Sequence, residues 1–335
     1  LLTSRIVWAQ QNGEYRESPT WRFEMANDSV FNSDNQFTNG FTVQKHSPAF
    51  SSLDATRGTP AFGKSIARFF LPDKEGLWYR EGWAIGHNMV TPEEIEREAI
   101  ILNDVPYVGM LGWANSFIAF DDRDLSGFEL LLGWVGPGAL AEELQEGVHS
   151  VIDSEDPEGW DNQLDDEPII NLFYTRKHKL WRKPTFDGAA TFGGALGNFF
   201  TFAEVALEMR FGRMPGGFAY VPDPVGRGIN LNSTLPVRGS RSQFYGTVII
   251  RGTGFALSLP LEGNNFTDDN DWTENNTLDP EDFVGQLILG VHYERPRWGL
   301  RMNFWITTDT VDDDTLVADE DPQNEFGTIT YEWRF

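Results

Sequence analysis

The side chains with the clearest potential for chemistry are the histidines and one Asn-Asp pair. The five histidines are His46, His87, His149, His178 and His292. None has the spacing of a zinc pair, and neither His-Glu-x-x-His nor Gly-x-Ser-x-Gly occurs. Cysteine is absent, which excludes a thiol nucleophile and a thiolate metal site. What remains is a histidine that acts together with Asn27, Asp28 and the hydroxyl of Thr38.

Two predicted elements have to bring these residues together. Asn27 and Asp28 end a predicted strand over 20–28 and Thr38 begins the next, and in a hairpin such ends are adjacent. His149 follows on a predicted amphipathic helix over 139–152, one turn after Gln145. This helix lies in a predicted external loop, as a candidate lid over the rim. Without further context, each of these residues has a purely structural explanation. His149 would be an exposed residue of an amphipathic helix, Asn27 and Asp28 would be turn residues, and Thr38 would be a residue type common in strands.

The strands themselves show an alternating pattern. In Trp298 to Thr307 every second residue is apolar, and 201–212 and 327–335 repeat this pattern. Such alternation fits either a soluble sandwich or a membrane barrel. The aromatic-rich apolar faces, the Glu and Arg in mid-strand and the final Phe335 favour the barrel. We therefore predict an all-β fold, a transmembrane antiparallel β-barrel of about 12 strands with a short helix in an external loop.

The predicted strands fix the domain organisation. They span residues 20–28, 39–47, 80–90, 107–120, 125–136, 168–181, 185–196, 201–211, 243–258, 283–294, 298–308 and 326–335. Residues 20–335 then form a single barrel, and 1–19 form an N-terminal segment, either the tail of a signal peptide or a frayed start. With a periplasmic N-terminus, the connections 48–79 and 212–242 are unusually long for periplasmic turns. The sequence gives them no role.

Charge restricts the partners. The 335 residues carry a net charge of −25, which argues against a nucleic-acid partner, because phosphate backbones require a basic face. Mean hydropathy is −0.38, and no stretch approaches the ~20 apolar residues of a membrane helix. A protein this acidic needs divalent cations to meet an anionic membrane surface.

Eight short motifs occur in order along most of the chain. They are Ala26-Asn27-Asp28, Phe37-Thr38-Asn39-Gly40, Gly86-His87-Asn88-Met89-Val90-Thr91-Pro92, Val105-Pro106-Tyr107-Val108-Gly109, Gly133-Trp134-Val135-Gly136-Pro137, Gln145-x-x-x-His149, Trp160-Asp161-Asn162-Gln163-Leu164 with Glu167-Pro168, and Gly194-Ala195-Leu196-Gly197-Asn198. Together they resemble the outer-membrane lipid A 3′-O-deacylases.

The resemblance implies a monomeric esterase, integral to the bacterial outer membrane, that removes an acyl group from the lipid A of lipopolysaccharide with the aid of calcium. His149 would be the general base that activates water, a role that suits histidine near neutral pH. Asp28 would hold the metal, and Asn27 and Thr38 would orient the metal shell or the oxyanion. Gln145 would position His149.

Other functions remain open at this point. The chain could instead be an outer-membrane phospholipase, which would act on membrane lipids through the same kind of site. It could also be a catalytically inactive barrel of this family that serves as a channel or surface protein.

Overall fold

A computed structural model of the chain describes residues 19–28, 37–56, 61–152, 156–221, 242–267, 269–316 and 322–335. Twelve antiparallel strands form one closed barrel within this part, each paired with its neighbours in chain order and β1 with β12. They are β1 Thr20–Asn27, β2 Phe37–His46, β3 Trp78–Val90, β4 Val108–Phe120, β5 Asp124–Val135, β6 Glu167–Lys183, β7 Phe186–Gly197, β8 Phe200–Arg213, β9 Gln243–Ser258, β10 Phe283–Glu294, β11 Trp298–Asp309 and β12 Gln323–Arg334. The predicted fold is confirmed, with strand boundaries within three residues of those expected.

Short helices lie in the connections. The α-helices are α1 Ala61–Phe70, α2 Ala141–Ile152, α3 Leu259–Glu262 and α4 Asp271–Asn275, and 3-10 turns span Leu53–Ala55, Pro137–Ala139, Trp160–Asn162 and Asp313–Thr315. The predicted helix over 139–152 corresponds to α2, with a 3-10 turn before it. Among the described residues, no helix is long and apolar enough to cross a membrane. The predicted N-terminal segment lies outside the described residues except for its last position.

The barrel has an apolar outer surface and a charged lumen. Exposed apolar residues such as Met25, Ile85 and Trp113 alternate with buried polar ones along the strands. In the lumen, Arg, Lys, Asp and Glu side chains form close ion pairs: Arg22–Glu332 at 2.5 Å, Lys177–Glu208 at 2.5 Å, Arg210–Asp187 at 2.6 Å and Arg301–Glu294 at 2.7 Å. Buried charges persist when they are paired in this way. The lumen is therefore ion-paired.

Part of one long connection enters the lumen. After β8, the chain turns inward, and the Nζ of Lys177 donates to the carbonyl oxygen of Ala219 at 3.3 Å. The Nη2 of Arg210 donates to the carbonyl oxygen of Gly217 at 2.8 Å. Ala219 and Val221 pack in one buried cluster with lumen-facing residues of β9 to β12. Residues 217–221 belong to the segment 212–242, for which the sequence predicts no role, and they lie in the lumen.

The two ends of the barrel differ. At one end β1 begins and β12 finishes, with Thr20 opposite Arg334; we call this the terminus end. At the other, the loop end, Asn27 lies opposite Gly327, and the long connections after β3, β5, β9 and β11 meet. Trp272 is buried among them, and its indole Nε1 donates to the carbonyl oxygens of Ile101 and Asp104, both at 3.1 Å.

Candidate active site on the outer wall of the barrel

One row of paired residues crosses the outer surface of β1 to β4 at the loop end. Its members, each the register partner of the next, are Asn27, Asn39, Met89 and Gly109. They face outward because side chains alternate along a strand and these positions share the alternation of the exposed Met25, Phe41, Ile85 and Leu111. The end of β1 and the start of β2, which carry predicted site residues, thus place Asn27 and Asn39 on the outside of the barrel wall.

The Asn-Asp pair and Thr38 are brought together as the sequence predicts. Asp28 directly follows Asn27 at the end of β1 and is only 3% exposed. On β2, Phe37 pairs with Val90 and Asn39 with Met89, so the register shifts at Thr38. Such an irregularity re-aims the local backbone and is common beside functional sites. The side chain of Thr38 lies outside the described part of the structure.

Helix α2 packs onto the same outer surface. A Cβ atom on Gly109 would stand 2.6 Å from the Cβ of Ala141, so the missing side chain is what allows the close approach. The Nε2 of His87 lies 3.0 Å from the carbonyl oxygen of Ala139, just before the helix. The expected lid over the rim is therefore a helix against the outside of the wall, held there by small residues and one imidazole.

The helix also points toward the Asn-Asp pair. The 3-10 turn before α2 contacts β4 and β5, whereas α2 contacts β4 and β3, so the chain advances in the direction of β1. His149 is eight residues beyond Ala141, a rise of about 12 Å. Gly109 and Asn27 are three strand spacings apart, about 14 Å. The helix is thus long enough to carry the half-buried His149 toward Asn27 and Asp28.

Gln145 anchors the helix to the wall. Its side chain is buried, and its Oε1 accepts a hydrogen bond from the indole Nε1 of Trp160 at 2.7 Å. The Trp160 ring packs against Tyr107, with centroids 4.8 Å apart, and both belong to a buried cluster with Met89 and Ala141. The Nε2 of Gln145 makes no hydrogen bond within the described residues. Gln145 can therefore position α2 while its amide NH2 group remains available to donate hydrogen bonds.

The turn before α2 is fixed by a carboxylate. The Oδ1 of Asp166 accepts hydrogen bonds from the Nε1 of Trp134 and the backbone N–H of Gly138, both at 2.7 Å. Gly136 has a φ of +101°, and a Cβ there would stand 2.6 Å from the backbone of Asp165. Only glycine fits this position without strain. These contacts set where the helix starts.

The oxygen atoms at the end of the hairpin suit a hard cation. Asn39 lies opposite Asn27, and its buried Oδ1 has no hydrogen-bond partner within the described residues. With the Asp28 carboxylate and the Asn27 amide, this is the oxygen chemistry that calcium prefers. No group of three His, Cys, Asp or Glu side chains able to hold a metal occurs in the described ranges. A cation here would rely on amide oxygens and water beside one carboxylate.

Sequence reasoning missed three residues of this site. Asn39 and His87 each lie within one of the eight motifs, but the sequence analysis assigns neither a role. Trp160 also received no role. The strand alternation would have placed His87 and Asn39 on the outer face, but it could not show that a helix covers that face.

Substitution of Gly109 by alanine tests the packing of α2. The added Cβ would clash with Ala141, so we expect the helix to shift by about 1 Å. Turnover in the expected esterase reaction should then fall by roughly ten- to hundred-fold. Gly246→Ala is the matched control, because its Cβ would come no closer than 3.6 Å to any neighbour. Heat-modifiable migration in gel electrophoresis would establish folding of both variants. Equal activity in the two would show that the helix position does not matter.

The loop before β4 supports the same cluster. Tyr107 donates its hydroxyl hydrogen to the carbonyl oxygen of Ile95 at 2.9 Å, and burial raises the pKa of Tyr107 to about 12. The Asp104 carboxylate accepts from the backbone N–H groups of Glu93 at 2.9 Å and Val105 at 2.6 Å. Burial nevertheless raises the pKa of Asp104 to about 6.

This raised pKa predicts a pH-dependent loop. Because the folded protein favours protonated Asp104, the stabilisation is complete below about pH 4 and is lost as pH rises to about 6, on the order of 3 kcal/mol. Hydrogen exchange of residues 91–107, corrected for intrinsic rates, should therefore be slower at pH 4.5 than at pH 7.5. Asp104→Asn should remove most of this difference in exchange rate. If the difference is unchanged in the variant, a titratable group other than Asp104 causes it.

Comparisons with known proteins agree with this architecture. A family model described as "Outer membrane protein LpxR" matches residues 1–335. The solved structure of LpxR from Salmonella typhimurium is similar, with a TM-score of 0.70 and 12% identity, covering 94% of this chain and 100% of that one. The β-domain of the Bordetella autotransporter BrkA aligns at a TM-score of 0.42 and 10% identity, over 95% of this chain and 98% of that one. No curated protein matches. The chain thus belongs to the LpxR family of outer-membrane proteins and is an integral outer-membrane β-barrel.

Proposed function

We propose that this protein is an esterase of the outer membrane that hydrolyses the 3′-linked acyl group of lipid A. The observation that carries the proposal is the position of the candidate site on the outer wall. The row from Asn27 to Gly109 and the helix on it lie on the face that also bears the exposed apolar residues. A membrane lipid can reach this face from the bilayer, whereas the bilayer would keep a water-soluble substrate away from it.

Each site residue has a role in this proposal. His149 accepts a proton from the attacking water, and α2 carries it toward the hairpin end. Gln145 holds the helix against Trp160 and thereby positions His149. Asn27 and Thr38 orient the groups around the ester. Because one chain supplies all of these residues, we propose that the protein acts as a monomer.

We propose calcium as the cofactor. Asp28, Asn27 and Asn39 would hold it through oxygen atoms, and Asn39 supports this because its buried Oδ1 lacks a partner within the described residues. When bound, calcium would polarise the ester carbonyl and neutralise the oxyanion. A divalent cation would also lessen the repulsion between a chain of net charge −25 and an anionic lipid surface.

Mass spectrometry of lipid A tests the reaction. Detergent-solubilised protein would be incubated with lipid A in the presence of calcium or of a chelator. Loss of the 3′-linked acyl group only with calcium is the expected result. Cleavage of phospholipid but not of lipid A would instead identify a phospholipase. If neither lipid changes while the barrel remains folded, the chain would be an inactive member of the family.

A further inference from the structure

Helix α1 lies against the outside of the barrel at the terminus end. The Phe70 ring stacks on Phe128 of β5, with centroids 4.8 Å apart and planes 7° from parallel. Phe128 faces outward, since it shares the alternation of the exposed Leu132 and Trp134. Ala67 is fully buried in the same cluster. The segment 48–79, for which the sequence predicts no role, thus contributes a helix on the outer wall.

This contact is continuous with the lipid-facing surface of the barrel. Leu130 of β5 and Leu172 and Tyr174 of β6 are partly buried against the same cluster as Phe70. An aromatic pair lies on the outer wall nearby, where Trp21 and Trp83 pack edge to face with centroids 5.6 Å apart. Tryptophans of this kind mark the membrane–water interface. The helix therefore lies at the level where the apolar surface meets water.

The two flanks of α1 differ in chemistry. On one flank, the Nζ of Lys64 donates to the carbonyl oxygens of Asp54 and Thr56, and Arg68 forms an ion pair with the Asp54 carboxylate. On the other flank, Ile66 is 42% exposed and Phe69 is 85% exposed. Residues three apart share one side of a helix, so Ile66 and Phe69 form a single apolar strip.

We propose that α1 is an in-plane membrane helix that inserts Ile66 and Phe69 into the phospholipid leaflet on the periplasmic side. We take the terminus end as periplasmic because three of its five connections are short turns (121–123, 184–185 and 295–297), whereas most connections at the loop end are long. An amphipathic helix at this depth buries its apolar face among acyl chains and keeps its charged face in water. Lys64 and Arg68, which hold the 53–56 turn, then face the periplasm.

Lipid is the occupant that the surroundings favour. The strip adjoins the apolar outer surface of the barrel, which faces lipid in an integral outer-membrane protein. Leaving the Phe69 side chain in water would forgo the favourable burial of its apolar surface. A second copy of the chain or another protein could also cover the strip, and the experiment separates these cases.

Because the chain has no cysteine, single labels can be placed without background. A nitroxide would be attached to Phe69→Cys in the full-length protein, reconstituted in phospholipid vesicles. Collision with oxygen, which concentrates in lipid, would be compared with collision with a water-soluble nickel chelate. Arg68→Cys, on the charged flank, is the matched control, and Leu132→Cys on β5 reports a lipid-facing position.

We expect the oxygen-to-nickel ratio at Phe69 to exceed that at Arg68 several-fold and to approach that at Leu132. A ratio at Phe69 equal to that at Arg68 would place the strip in water and overturn the proposal. Protection from both reagents would show that protein covers the strip and would overturn it as well. The variant replaces an exposed side chain, so the folded barrel is retained.

Discussion

Replacement of His149 by alanine is expected to lower the rate of lipid A deacylation by about 10²- to 10⁴-fold, the usual contribution of a general base. The variant should still fold, because His149 lies on helix α2, which packs on the outside of the barrel wall. The rate of acyl release by mass spectrometry and heat-modifiable migration would measure the two properties separately. A fall in activity without a change in folding would assign a chemical role to the imidazole.

His178→Ala provides the matched control. His178 is an exposed histidine of β6, and its Nδ1 lies 2.8 Å from the Oδ1 of the partly exposed Asp124 near the terminus end. The loss of this imidazole should leave deacylation unchanged. If His149→Ala retains full activity, His149 takes no part in the reaction, and another of the loop-end residues must activate water.

Substitution of Asp28 by alanine is expected to reduce turnover by about 10³-fold, since the Lewis-acid effect of a metal contributes several kcal/mol to the transition state. Asp28 supplies the single carboxylate of the proposed oxygen set, so its removal should abolish calcium binding. Rates measured across a series of free calcium concentrations would show this. The wild-type chain should respond to calcium, and the variant should remain slow at every concentration.

Two further variants make this test specific. Asp28→Asn keeps the shape of the side chain, so the end of the hairpin should be preserved. We expect this variant to need a higher calcium concentration than the wild type to reach half of its maximal rate. Asp122→Ala removes an exposed carboxylate at the terminus end that lies 3.4 Å from Arg182, and it should behave like the wild type. Full activity of Asp28→Ala in a chelator would exclude Asp28 as a metal ligand.

The strands could be predicted because their signal is local. In Trp298–Asp309 each residue points to the face opposite its neighbour, so apolar outer and polar inner residues alternate in the sequence itself. The same reasoning located α2, whose apolar residues recur at helical spacing. It also brought Asn27, Asp28 and Thr38 together, because a hairpin joins the end of one strand to the start of the next.

The side of the wall occupied by the site could not be predicted in this way. Alternation shows that a strand has two faces, but the placement of α2 depends on Gly109 meeting Ala141, thirty-two residues further along the chain. The importance of Asn39 likewise depends on its position opposite Asn27. The sequence suggested a lid over the rim, whereas the packing of small residues holds the helix on the outer face.

The long connections illustrate the same limit. Residues 214–221 contain no pattern that predicts a place in the lumen, where Ala219 accepts from Lys177 and Gly217 from Arg210. Helix α1 is amphipathic in sequence, yet only the stacking of Phe70 on Phe128 shows which face meets the barrel. By itself, the sequence determined the strands, the family and the residues available for chemistry. The tertiary structure alone decided which side of the barrel wall the candidate site and helix α1 occupy, because their placement depends on contacts between residues far apart in the chain.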